Sequence, residues 1–197
     1  MGKHFGKKCF LLFLVPLSEE QLCSNNRGRS AFSVHSFGSA LFCFLGGSNV
    51  TIAFFGHAHY VEKKEDEERI LALLEEKIGD ADAELYLGGY GGFDAFARSC
   101  GAKYRKSHPN TKLIFITPYV TRDYPKDLYD GSIYPSLERV PPRFAIQSRN
   151  KWMAENANFV IVYVKATYGG AYNAYRHALK KEKDTVNIAA ENPSSKK

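Results

Sequence analysis

At 197 residues the chain has the length of one domain with an appendage, enough to enclose a substantial core. Its 44% hydrophobic and 24% charged content is ordinary for a globular protein and excludes a chain disordered throughout. The net charge of +6 is concentrated at the ends: residues 50–189 hold 20 Lys and Arg against 18 Asp and Glu, whereas residues 1–49 carry +3 and the last eight +1, which argues against a nucleic-acid surface.

Residues 1–49 share no pattern with the rest. A basic start (Lys3, Lys7, Lys8) leads into an apolar run from Cys9 to Val15 that stops at Pro16. The run is far short of the ~20 apolar residues that span a bilayer, and no small-residue cleavage site follows it. Gly6 stands where a myristoylation signal beginning at Gly2 needs Ser or Thr. No membrane partner is expected. The segment is expected to be an extension without a fold of its own, disordered or read from a start upstream of the functional one; with Met only at 1 and 153, a start at Val50 would use a non-Met codon. Cys9, Cys23, Cys43 and Cys100 offer no CxxC pair and no zinc spacing, and point to a reduced, cytoplasmic setting.

From Val50 the pattern becomes regular. Val50 to Phe55 reads as a buried strand, and Glu62 to Ile78 as an amphipathic helix with Ile70, Leu74 and Ile78 on one face. Ala83 to Leu87 is a second strand, Phe93 to Lys106 a helix with Cys100 on its apolar side, and Lys112 to Thr117 a third strand. A helix over Arg143–Asn156, a strand over Phe159–Val164, a helix over Gly170–Lys181 and a short strand over Thr185–Ala189 follow; residues 190–197 read as a disordered tail. The alternation predicts an α/β domain over 50–189, a Rossmann-like three-layer sandwich with a five-stranded parallel sheet in the order 3-2-1-4-5. Pro118 to Pro142, with five Pro, is long for a connection and is a candidate lid; the alternative is a structured excursion packed by Tyr119, Tyr129 and Tyr134.

The residues that carry chemistry gather at the carboxyl ends of these strands, where such sheets bind ligands. Gly56 and His57 end the first strand. Gly88-Gly89-Tyr90-Gly91-Gly92-Phe93-Asp94 follows the second, and Tyr168-Gly169-Gly170-Ala171-Tyr172-Asn173 the fourth. A glycine-lined strand-to-helix turn brings backbone N–H groups close to an anion, with the helix N-terminus behind them; tight turns also use glycine for its positive φ alone. The order 3-2-1-4-5 sets His57 and the Gly169 turn across one crevice. Arg149, three residues after Ile146 and four before Met153, lies beside a buried stripe and requires a partner, either a protein carboxylate or a ligand anion. No GxxxxGK[ST], dinucleotide fingerprint or GxSxG elbow is present. His57 and His59 lack the further ligands a metal needs, so no metal and no resident cofactor is expected.

Strand-FFGH, GGYGGFD, IYPSLERVPPRFAIQSRNKWM, ANFVIVYV and YGGAYNAYRHA together resemble the SLOG superfamily, the Rossmann-like group that contains the LOG phosphoribohydrolases and the DNA-processing protein DprA, and within it small bacterial members. The resemblance covers residues 50–189. It implies a nucleotide-type ligand held by the two glycine turns, with a ligand set of Gly56, His57, Gly88, Gly89, Tyr90, Gly91, Gly92, Asp94, Arg149, Asn150, Tyr168, Gly169, Gly170, Ala171 and Asn173. LOG enzymes carry PGGxGTxxE; here Tyr168 replaces Pro, Tyr172 and Asn173 replace Gly-Thr, and Arg176 stands where the Glu should be. Arg149 matches the LOG arginine, and Ala58 interrupts the GHR of related small proteins. The expectation is therefore a nucleotide-binding or nucleotide-sensing protein with no assigned catalytic residue. The alternative is a LOG-like phosphoribohydrolase recruiting Asp94 or Glu138. A DprA-like nucleic-acid module is disfavoured by the near-neutral domain, and a homo-oligomer is compatible with the sequence.

Overall fold

The computed structural model describes residues 49–120 and 124–189. Contacts divide the chain into a unit Met1–Phe42 and a unit Cys43–Lys197, and every described residue belongs to the second. The expectations for residues 1–48 and 190–197 lie outside the described residues.

Six parallel strands form one sheet: β1 (Val50–Gly56), β2 (Ala83–Leu87), β3 (Thr111–Ile116), β4 (Gly131–Ile133), β5 (Phe159–Tyr163) and β6 (Asp184–Asn187), in the order β4-β3-β2-β1-β5-β6. The five expected strands stand in the expected order, and β4 extends the β3 edge as a sixth. Strand periodicity of two divides the core. Ile52, Phe54, Leu85, Leu87, Leu113, Phe115 and Ile161 face α1 (Lys64–Ile78) and α2 (Gly92–Arg105), whose Ile70, Leu74, Phe93 and Phe96 fill that layer. Ala53, Phe55, Tyr86, Ile114, Ile116, Val160 and Val162 face α3 (Ala145–Asn156) and α4 (Gly170–Lys180), which contribute Met153, Ala154, Ala174 and Ala178. Both faces are covered, so the central strands β1 and β5 read as nearly unbroken apolar runs.

The described part of the proline-rich stretch, residues 118–120 and 124–142, is a structured excursion along the edge of the sheet. Asp130 accepts hydrogen bonds from the Leu113 N–H at 2.8 Å and Arg105 Nη1 at 2.6 Å, and Thr117 N–H donates to Ile133 O at 3.0 Å, which registers β4 beside β3. Tyr129 is buried against Phe115, 5.2 Å between ring centroids. A three-residue strand without alternating hydrophobicity leaves no periodic trace, which is why it escapes a reading by pattern. A 3₁₀ turn at Pro142–Phe144 then delivers the chain to α3.

Candidate functional site

The chain moves outward from β1 through β2 and β3, then returns across the sheet to β5 on the other side of β1. Loops leaving β1 and β5 therefore part in opposite directions and open a crevice at their carboxyl ends. A cavity of about 300 Å³ occupies it, floored by Phe54, Phe55 and Met153 and walled by Gly56, His57, Gly88, Gly91, Asp94, Arg149, Asn150 and the Tyr168–Ala171 turn. The N-termini of α2 and α4 both contribute wall residues, so two positive helix ends meet there. Tyr168 (77% exposed) and Ile146 stand at its rim.

Arg149 supplies the fixed charge. It is 2% exposed, far more buried than a surface cation, yet only partly satisfied. Its Nη1 donates to Ile116 O at 3.1 Å and its Cζ lies 5.1 Å from the centroid of the Tyr90 ring, while Nε has no hydrogen-bond partner among the described residues. Burial lowers its pKa; the nearby Asp94, Tyr90 and Tyr119 push the other way. Asp94, the third residue of α2, accepts the Tyr90 N–H at 2.8 Å and so ties the turn before α2 to the first turn of the helix. Desolvation raises its pKa, against the Tyr90 hydrogen bond and the Arg149 charge. The two ions are coupled without a direct ion pair.

The glycines divide into two kinds. A Cβ on Gly88 would lie 2.3 Å from Arg149 Nη1, and one on Gly56 would meet the Phe93 ring at 2.2 Å. Gly89 has φ +69°, and its Cβ would lie 2.5 Å from Phe115, away from the cavity. Gly91 and Gly92 press on the backbone of residues 58–60, where Gly92 N–H donates to Ala58 O at 2.8 Å. These five serve close packing or a left-handed turn. Gly169 (φ +93°) has nothing within 4 Å of a Cβ position, and Gly170 only Asn150 Nδ2 at 3.9 Å. The second turn is thus the open cradle.

His57 has a structural task. Its Nε2 accepts the N–H groups of Lys165 at 2.9 Å and Ala166 at 3.3 Å, which ties the end of β1 to the loop after β5 and leaves the ring proton on Nδ1. Among the described residues no cluster of three metal-ligating side chains occurs. Of the expected ligand set, twelve residues line this cavity; Gly89, Gly92 and Asn173 do not. Asn173 instead lines a second cavity of about 410 Å³ between α3 and α4, which shares Asn150 and Gly170 with the first. Glu138 is exposed and lines neither cavity. Sequence reading missed the apolar floor, because strand-end hydrophobics look like core. It also missed the second cavity, although the i, i+3, i+4, i+7 spacing of Asn173, Arg176, His177 and Lys180 was visible.

No protein-family model matches the chain, and no curated protein matches it. Solved structures do. DNA processing protein A (DprA) from Streptococcus pneumoniae superposes with a TM-score of 0.52 at 18% identity, over 74% of this chain and 52% of that one. The molybdenum cofactor binding protein of the phototrophic bacterium Rippkaea orientalis gives 0.50 at 17% identity, over 71% and 76%. These likenesses show the fold, a Rossmann-like α/β sandwich. The fold is thus one that this chain shares with these two proteins. The chain spans about half the length of the pneumococcal DprA.

Proposed function

We propose that the protein binds a nucleotide or nucleotide derivative in the crevice between β1 and β5, with the phosphate at the N-terminus of α4. The observation that carries this reading is a buried arginine whose Nε lacks a partner, lining the same cavity as an unobstructed glycine turn at a helix start. Such a pair suits an anion: the guanidinium gains the hydrogen bond it lacks, and the Gly170 and Ala171 N–H groups add the charge of the helix end. The floor is apolar and Tyr168 at the rim presents a ring to a base. A neighbour of the same fold that binds the molybdenum cofactor supports a small-molecule role. Self-association and a cytoplasmic setting remain part of the proposal; among the described residues no helix is long and apolar enough to cross a membrane.

Calorimetric titration of ribonucleotides into the wild type and Arg149→Met tests it. The expected result is weaker binding in the variant by about 1.5–3 kcal/mol, the worth of a charge-assisted hydrogen bond. Its thermal midpoint should hold or rise, since a desolvated charge has been replaced by an apolar side chain. Unfolding of the variant with no nucleotide bound by the wild type would sink the reading. A second reading, hydrolysis of a nucleotide's N-glycosidic bond, is favoured by one observation: Asp94 lines the cavity with its pKa raised by burial, as a general acid needs. Release of free base from nucleoside monophosphates, lost in Asp94→Asn, separates it from binding alone.

A further inference from the structure

The cavity between α3 and α4 has an uncompensated charge. On α4, Arg176 and Lys180 share one face, and on α3 Lys151 lines the same groove. All three are exposed, no carboxylate lines the groove with them, and none forms an ion pair among the described residues. The neighbouring Glu155 is engaged by His177 at 2.8 Å and Lys181 at 3.4 Å. Lys180 also complements the C-terminal end of its helix; Arg176 lies 6.0 Å from the centroid of the Tyr172 ring, a weak and uncharged partner, and Lys151 sits in the middle of α3. Like charges held in one concavity repel, and an anion relieves that repulsion.

The groove continues from the nucleotide cavity. Asn150 and Gly170 belong to both, side by side on the saddle between them. From Gly170, α4 carries Asn173 about 4.5 Å, Arg176 about 9 Å and Lys180 about 15 Å away from the cradle, at 1.5 Å rise per residue. The near part of that path, at Asn173 and toward Arg176, is where a second phosphoryl group linked to the first would lie. We infer that the α3–α4 groove is an oligophosphate subsite, which takes the second phosphoryl group of a ligand whose first phosphate sits at the start of α4. The protein is thereby selective for nucleoside diphosphates or pyrophosphate-linked derivatives over monophosphates. This rests on reading the cavity as a nucleotide site.

The test is calorimetry on the full chain at low salt, with the mono- and diphosphates of adenosine, guanosine, cytidine and uridine, and with a single-stranded oligothymidylate. At least one diphosphate should bind about tenfold tighter than its monophosphate, and added salt should erode the difference. The combined variant Lys151→Ala, Arg176→Ala and Lys180→Ala should lose that preference while binding the monophosphate as the wild type does; Arg176→Lys should keep most of it. Should the combined variant not fold, Lys151→Ala and Arg176→Ala measured singly serve in its place. A diphosphate bound no tighter than its monophosphate, or a preference that survives the variants, overturns the subsite and leaves the cavity reading standing. Oligothymidylate binding that the variants abolish, with the diphosphate preference untouched, overturns it in favour of a nucleic-acid track. If no nucleotide binds the wild type, both readings fall together.

Discussion

A buried arginine and a carboxylate that do not touch set the electrostatics of the crevice. Asp94 is raised by desolvation, so its ionised form is the one the fold disfavours. The sign follows: stability is highest below the ordinary carboxylate pKa and is lost as pH rises through the elevated folded value. An ionised Asp94 also repels an incoming anion. Sulfate, whose charge is constant over this range, should bind the wild type more tightly as pH falls through that titration. Asp94→Asn keeps the acceptor for the Tyr90 N–H; it should bind sulfate more tightly at neutral pH, with a flat pH profile. A wild-type profile that is already flat would remove Asp94 from the site. Gly88 belongs to the same unit, because the space a Cβ would take is held by Arg149 Nη1. Gly88→Ala should therefore displace the guanidinium, weakening anion binding about as much as Arg149→Met does. The double variant should be no weaker than either single one, as coupled positions require, and additive losses would contradict the contact.

At the scale of elements, the two strand-to-helix turns look alike in sequence and behave differently in the fold. The turn before α2 is built into the protein: Gly89 needs its positive φ and the space beside Phe115, and Gly91 and Gly92 pack on the loop after β1. The turn before α4 is open. Gly89→Ala should cost stability, about 1–3 kcal/mol from the left-handed backbone alone. Gly170→Ala should leave the thermal midpoint nearly unchanged, because the new methyl group meets only Asn150 at 3.9 Å. Its nucleotide affinity should nonetheless fall about tenfold, as one charge-assisted contact is lengthened. Equal loss of binding without loss of stability in both variants would return the first turn to the site. Doublets of glycine were legible; which of them faced a ligand was not. That depends on what lies across the turn, here Phe115 from β3 and the backbone of residues 58–60, contacts made by residues distant in sequence.

For the molecule as a whole, the fold was readable because β1 and β5 are apolar almost throughout, β2 and β3 are interrupted only at Glu84 and at the Thr111-Lys112 start, and each helix keeps a 3.6-residue stripe. Ile70, Leu74 and Ile78 are buried as their spacing requires. The site was legible in part: Arg149 stood out as a cation on an apolar stripe, whereas the groove beside it arises from two helices brought together by the return from β4 to β5. Both edges of β1 are paired within residues 50–189, by β2 and β5, and both of its faces are covered. Removal of residues 1–49 is accordingly expected to leave the thermal midpoint nearly unchanged, with a large drop showing that they contribute core. The sheet itself ends in β4, three residues long, and β6, four. Edges so short offer an approaching strand almost no ladder to extend, a form of protection against lateral sheet growth. Recognition by this domain is thereby left to side chains and turns, and its unpaired backbone gives fibrils little to template on.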